Sequence, residues 1–149
     1  MNIFVTGATG VLGKTIVPML IADGHTVCAL SRSEANRDML QDFGARPVQA
    51  NLFDVTSLKR ELIGCDAILH LATRIPPTSK MAKQSAWLEN DRIRRDGTLN
   101  LVEAALAVAT VQVFVYPSYA FVYPDSGDPW IDASSTPVQP TSILQSTLD

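Results

Sequence analysis

The chain has 149 residues, 46% hydrophobic and 18% charged, with a formal net charge of −3. That length supports one domain with its own core, and the composition excludes a disordered chain. The mild negative charge gives no footing for a nucleic-acid partner, no apolar run reaches membrane-spanning length, and the N-terminus leads directly into a strand-like run with no signal-peptide pattern.

A cytoplasmic protein is expected. Cys28 and Cys65 lie far apart in apolar surroundings without C-x-x-C spacing, and read as reduced core thiols. His25 and His70 have no partner at ligand spacing, so no metal site is expected.

The β-rich run at residues 3–5 meets three glycines spaced three apart, Gly7, Gly10 and Gly13, and an apolar helix-like stretch follows. Gly7 permits a turn that a Cβ would strain. Gly10 lets a phosphate approach the backbone, and Gly13 lets the helix lie close to the strand. The N–H groups of the first helical turn, around Val11 and Leu12, then face an anion at the positive end of the helix dipole. The expected cradle is Gly7, Thr9, Gly10, Val11, Leu12 and Gly13.

Residues 15–22 continue that helix, with Pro18 about a turn inside it, and Gly24 stops it. Residues 26–30 form a second strand, completing the βαβ unit of roughly thirty residues that a dinucleotide-binding fingerprint requires. An acidic residue at the end of the second strand would hold the adenosine ribose of NAD; here stand Ser31, Arg32 and Ser33. A guanidinium suits a 2′-phosphate, and the hydroxyls of Ser31 and Ser33 can add hydrogen bonds, so NADP(H) is favoured over NAD. The competing reading makes Arg32 a solvated loop charge, in a field complicated by Glu34 and Arg37.

Residues 34–43 read as a helix capped by Gly44, and 46–50 as a third strand. Asn51-Leu52-Phe53-Asp54 follows, Asp54 serving as N-cap for a helix over 55–63 that Gly64 ends. Residues 66–71 form an apolar fourth strand, as a central parallel strand should be. Residues 73–80 read as a loop at the carboxyl end of that strand, where such sheets bind ligands. Residues 87–109 form the longest helix, with an apolar face of Ile93, Leu101, Val102, Ala105 and Leu106 and a solvated charged first half over 91–96. Residues 111–116 form a fifth strand, 117–140 a long loop and 142–149 the start of another helix. The alternation predicts an α/β fold: a doubly wound parallel sheet in the order 3-2-1-4-5.

Several stretches together resemble the extended short-chain dehydrogenase/reductases, in particular the NAD-dependent epimerase/dehydratase group. Thr6-Gly7-Ala8-Thr9-Gly10-Val11-Leu12-Gly13 matches that family's T-G-x-x-G-x-x-G. Asn51-Leu52-Phe53-Asp54 resembles its D-L-x-D, which implies Asn51 and Leu52 near the adenine. His70-Leu71-Ala72-Thr73 resembles its H-x-A segment, which implies Leu71, Ala72 and Thr73 beside the cofactor. Residues 97–105 resemble its G-T-x-N-L-x-E-A-A helix, and 114–123 its strand ending in S-S-x-x-V-Y-G. The resemblance implies a Rossmann domain over residues 1–149, cut short near the active-site helix, with the C-terminal substrate domain absent.

The family's chemistry uses a Ser or Thr with a Y-x-x-x-K pair, because an unperturbed phenol is a poor base at neutral pH. This chain departs from it. No lysine follows Lys83, and Ile143 and Thr147 stand at the tyrosine and lysine positions. Tyr119 holds the Ser/Thr position, and Arg94 stands where the family has a helix asparagine. Ser118, Tyr119 and Tyr123 are the replacement candidates. Two functions remain open: an atypical NADP(H)-dependent epimerase, dehydratase or reductase acting on a nucleotide-sugar or small carbonyl or hydroxyl substrate, and a non-catalytic NADP(H) sensor. The expected partner is a small molecule, with no nucleic acid and no membrane; the fifth strand as a sheet edge leaves a homodimer open.

Overall fold

A computed structural model describes residues 1–118, 123, 125, 127–132, 134 and 135. Five parallel strands, β1 (Asn2–Thr6), β2 (Thr26–Leu30), β3 (Arg46–Val48), β4 (Ala67–His70) and β5 (Val113–Val115), form one sheet in the order β3-β2-β1-β4-β5. This is the doubly wound order that the alternation predicts. β1 is central: Phe4 stands opposite Cys28 on one side and Ile68 on the other.

Side chains alternate across the sheet, so each strand feeds two cores. Phe4, Cys28 and Ile68 pack beneath α3 (Val55–Leu62) and α5 (Thr98–Val108), against Leu58, Leu62, Leu101 and Ala104. Ile3, Val5, Val27 and Ala29 pack beneath α1 (Gly13–Ala22) and α2 (Glu34–Asp42), against Val17 and Leu40. Two helix starts are held by side chains. Ser33 accepts from the Asn36 N–H and Asp54 from the Thr56 N–H, each such cap contributing about 1 kcal/mol.

The structure differs from the sequence expectations in several places. The third, fourth and fifth strands are shorter than expected, although Asp66 and Leu71 still donate to Asn2 and Thr6 of β1 just beyond the ends of β4. Pro18 is the sixth residue of α1, deeper than a first-turn position. The predicted loop after β4 contains a tight turn at Thr78–Lys80, and a second follows at Gln84–Ala86. Trp87, buried, anchors this segment by donating its indole N–H to the Met81 carbonyl at 2.8 Å. The long helix is three pieces: α4 (Leu88–Arg92), a π turn at Ile93–Gly97, and α5. Its charged first half is not wholly solvated, since Arg94 is 2% exposed. Tyr119 and the helix expected over 142–149 lie outside the described residues. Among the described residues no helix is long and apolar enough to cross a membrane.

Candidate functional site

The β1–α1 turn is built as its glycines require. Gly7 has φ +72°, and a Cβ there would sit 2.5 Å from the backbone of Leu71 and Ala72 where β4 ends. A Cβ at Gly13 would sit 2.4 Å from the Ala8 backbone, so the helix lies on the turn at a distance only glycine allows. Gly10 closes the turn by donating its N–H to the Gly7 carbonyl at 2.9 Å. The first backbone bonds of the helix begin at Lys14, whose N–H reaches the Gly10 carbonyl; no described backbone group accepts from the N–H groups of Val11, Leu12 or Gly13. Three successive donors at a helix start are suited to a phosphate.

In front of this turn lies a cavity of about 440 Å³. Of the residues expected at the cofactor, Gly7, Thr9, Gly10, Ser31, Arg32, Asn51, Leu52, Leu71, Ala72 and Thr73 line it. Val11, Leu12 and Gly13 do not. The Val11 side chain is 90% exposed, and Gly13 is buried against the turn.

The wall carries residues that the sequence reading missed: Leu30, Asn36, Gln49, Ala50, Phe53, Glu89 and Ile93. Asn36 sits in the first turn of α2 and lines the cavity together with Arg32; its place could have been found from the Ser33 cap. Arg32 is exposed, and no carboxylate among the described residues pairs with it. The Ser31 hydroxyl is already donated to the Ser33 carbonyl at 3.0 Å, so it shapes the loop and keeps only its acceptor lone pairs for other partners. Arg92 lies over the ring of Phe53, a wall residue, at 3.8 Å from its centre.

The loop after β3 is fixed from two directions. Asn51 accepts from the Phe53 N–H at 3.0 Å, and the Ser57 hydroxyl accepts from the Asn51 N–H at 3.1 Å. On the other side, Asn100 of α5 donates to the Leu52 carbonyl at 3.1 Å. A Cβ at Gly97 would stand 2.8 Å from the Leu52 side chain. The glycine and asparagine of the Gly97-Thr98-Leu99-Asn100 segment therefore hold the floor of the cavity in place.

A second polar cluster lies beyond the end of β4. Thr6 and His70, paired across β1 and β4, meet through the Thr6 hydroxyl and His70 Nδ1 at 2.5 Å, both fully buried. The His70 ring stacks on Tyr116 with centroids 5.3 Å apart. The Arg94 guanidinium lies 4.6 Å from the centre of the Tyr116 ring and donates to the Pro117 carbonyl at 3.2 Å. Burial lowers the His70 pKa to about 4; the Ile93 carbonyl opposes this and the nearby Arg94 charge adds to it. His70 is thus a neutral imidazole at physiological pH.

Ser118 is exposed and Tyr123 half-buried, and neither lines the cavity; Tyr119 is outside the described residues. No cluster of His, Cys, Asp or Glu among the described residues is placed to hold a metal ion.

Comparison with known proteins gives a consistent picture. The profile of the NAD dependent epimerase/dehydratase family matches residues 3–144. The chain is 35% identical over 117 residues to the decarboxylating sterol-4-alpha-carboxylate 3-dehydrogenase of Dictyostelium discoideum, covering 78% of this chain and 35% of that protein. It is 33% identical over 116 residues to the photosystem II assembly factor Ycf39 of Synechocystis, covering 78% of this chain and 33% of that protein. Among solved structures, UDP-glucose-4-epimerase from Stenotrophomonas maltophila superposes with a TM-score of 0.81 at 23% identity, over 99% of this chain and 46% of that one. The UDP-N-acetylglucosamine 4-epimerase of Bacillus cereus does so with a TM-score of 0.74 at 27% identity, over 99% and 50%. The chain spans about a third of the length of these curated relatives and about half of these solved structures.

Proposed function

From the premise that this chain belongs to the NAD-dependent epimerase/dehydratase family, we propose that its cavity binds NADP(H). The observation that carries the cofactor choice is Arg32: an exposed guanidinium at the cavity rim, at the carboxyl end of β2, without a carboxylate partner among the described residues. It suits a 2′-phosphate as a planar fork, with Asn36 adding an amide beside it. The pyrophosphate would lie on the N–H groups at the start of α1, and the adenine between Leu52 and the Asn51 loop. Leu71, Ala72 and Thr73 would border the nicotinamide half. When bound, the group supplies hydride transfer; the chain's own residues bind and orient it and exclude water.

We further propose that the chain is the dinucleotide-binding part of an atypical epimerase, dehydratase or reductase acting on a nucleotide-sugar or small carbonyl or hydroxyl compound. Ser118, Tyr119 and Tyr123 follow β5 and are the proposed reacting groups. A second reading, a non-catalytic NADP(H) sensor, is favoured by the departure at the Y-x-x-x-K positions, where this chain carries Ile143 and Thr147. Both readings need the cofactor.

Fluorescence titration with NADPH and NADH tests it. NADPH is expected to bind at least about tenfold more tightly than NADH, and Arg32→Asp to abolish that preference. Equal affinities in the unaltered chain, or an NADPH affinity indifferent to Arg32→Asp, would overturn the reading. Turnover of NADPH with a carbonyl substrate then separates the enzyme from the sensor.

A further inference from the structure

Cys28 and Cys65 stand 37 positions apart in sequence, yet both belong to one core cluster beneath α3. Cys28 lies on β2 and is 5% exposed; Cys65 lies in the turn between α3 and β4 and is 2% exposed. Their side chains are within hydrogen-bonding reach of one another. The sheet register places Arg46 directly opposite Cys28, on the same face. Its guanidinium donates to Cys28 Sγ at 3.0 Å. A guanidinium can only donate, so the Cys28 sulfur is the acceptor. Glu61 holds the guanidinium from the other side, at 3.8 Å. The Cys65 S–H can donate to Cys28 or to the Glu61 carbonyl, 3.5 Å away. One sulfur therefore faces two donors, and the other keeps its proton.

We propose that Cys28 and Cys65 form a hydroperoxide-reactive thiol pair, with Cys28 as the attacking thiolate, Cys65 as the resolving thiol and Arg46 as the cation that activates Cys28. The asymmetry of the pair supports these roles. The hydrogen bond from Cys65 and the Arg46 charge hold Cys28 below the ordinary thiol range, against the opposing effect of burial. The hydrogen bond to Cys28, with burial, holds Cys65 above it. The Arg46 side chain, whose guanidinium holds Cys28 Sγ, is 60% exposed, so the pair lies next to solvent.

The chemistry takes two steps. Cys28 thiolate attacks a peroxide oxygen: an S–O bond forms, the O–O bond breaks, and the leaving hydroxide takes a proton to become water. Cys65 sulfur then attacks the Cys28 sulfenic acid: the S–S bond forms, the S–O bond breaks, and hydroxide leaves with the Cys65 proton as a second water. Two thiols are oxidised to one disulfide, and one hydroperoxide is reduced. The pairing stands apart from the dinucleotide reading, and its test uses no dinucleotide.

The test is to expose the fully reduced 149-residue chain to a small excess of hydrogen peroxide, unfold it in a thiol-alkylating reagent, and record intact mass. The expected product is about 2 Da lighter than the reduced chain, carries no alkyl group, and reverts with a reductant. In Cys65→Ser the expected product is a sulfenic acid on Cys28, about 16 Da heavier and trapped by a dimedone-type reagent. Arg46→Met, with its fold checked by circular dichroism, is expected to react at least about tenfold more slowly. Two alkylated thiols after exposure, a disulfide joining two chains, or an unchanged rate in folded Arg46→Met would each overturn the proposal.

Discussion

His70 makes the stability of this fold depend on pH in a window set by its burial. The imidazole is held neutral, with its pKa lowered to about 4 from an ordinary 6.5, first by burial and further by the Arg94 charge. Between those values the unfolded chain takes up a proton that the folded chain refuses, so acid favours unfolding. The contribution is fully present above about pH 6.5, declines as pH falls, and is gone below about pH 4. Lowering the pKa from 6.5 to about 4 corresponds to about 3 kcal/mol in total, of which about 2 kcal/mol is lost between pH 7 and pH 5. Urea unfolding at pH 7, 6 and 5, for the unaltered chain and His70→Asn, isolates this term by difference. The unaltered chain is expected to lose about 2 kcal/mol more than the variant over that range. NMR of the labelled imidazole provides a check that does not depend on the variant folding: the ring should remain neutral at pH 5. An imidazole that titrates near 6.5 in the folded chain would refute the reasoning, as would parallel pH profiles for the two proteins.

Three further outcomes follow from single contacts. Gly7→Ala forces a side chain onto φ +72° and into the Leu71–Ala72 backbone, and is expected to cost more than about 2 kcal/mol in urea unfolding and to abolish dinucleotide binding. Asn100→Ala removes the donor to the Leu52 carbonyl; a loss of about 1 kcal/mol is expected, with a weaker dinucleotide titration than the unaltered chain. Arg94→Met removes a like charge from the neighbourhood of His70, so the His70 pKa should move up from about 4, read by the same NMR titration.

What the sequence made legible is what is local. The glycines at 7, 10 and 13 act within one turn, so their roles as tight turn, open approach and helix contact follow from spacing, and the cavity forms in front of them. The strand order follows from regular alternation and the handedness of βαβ units. Arg94 was not legible, because a run of charges on a helix ordinarily faces water. Cys28 and Cys65 were not legible as a pair either. Sheet register and the turn after α3 bring them together, and neither leaves a mark in the spacing of the two residues. Glu89 joins the cavity wall for a similar reason: it is distant in sequence from the glycine turn and arrives there only through the placement of α4.

Arg94 shares a buried face with its neighbours: Asn90, Ile93, Arg94, Gly97, Leu101 and Ala104 are buried at the spacing of a single helix face. In an α-helix, successive residues point about 100° apart, so two neighbours can share one buried face. At Ile93–Gly97 the turn widens by one residue, and Ile93, Arg94 and Gly97 are all buried. Ile93 lines the cavity, while Arg94 lies across Tyr116 and holds the Pro117 carbonyl after β5. A few residues later Gly97 rests on Leu52, which forms the opposite wall. One short segment thus touches the cavity wall, the Leu52 loop and the exit of β5 together.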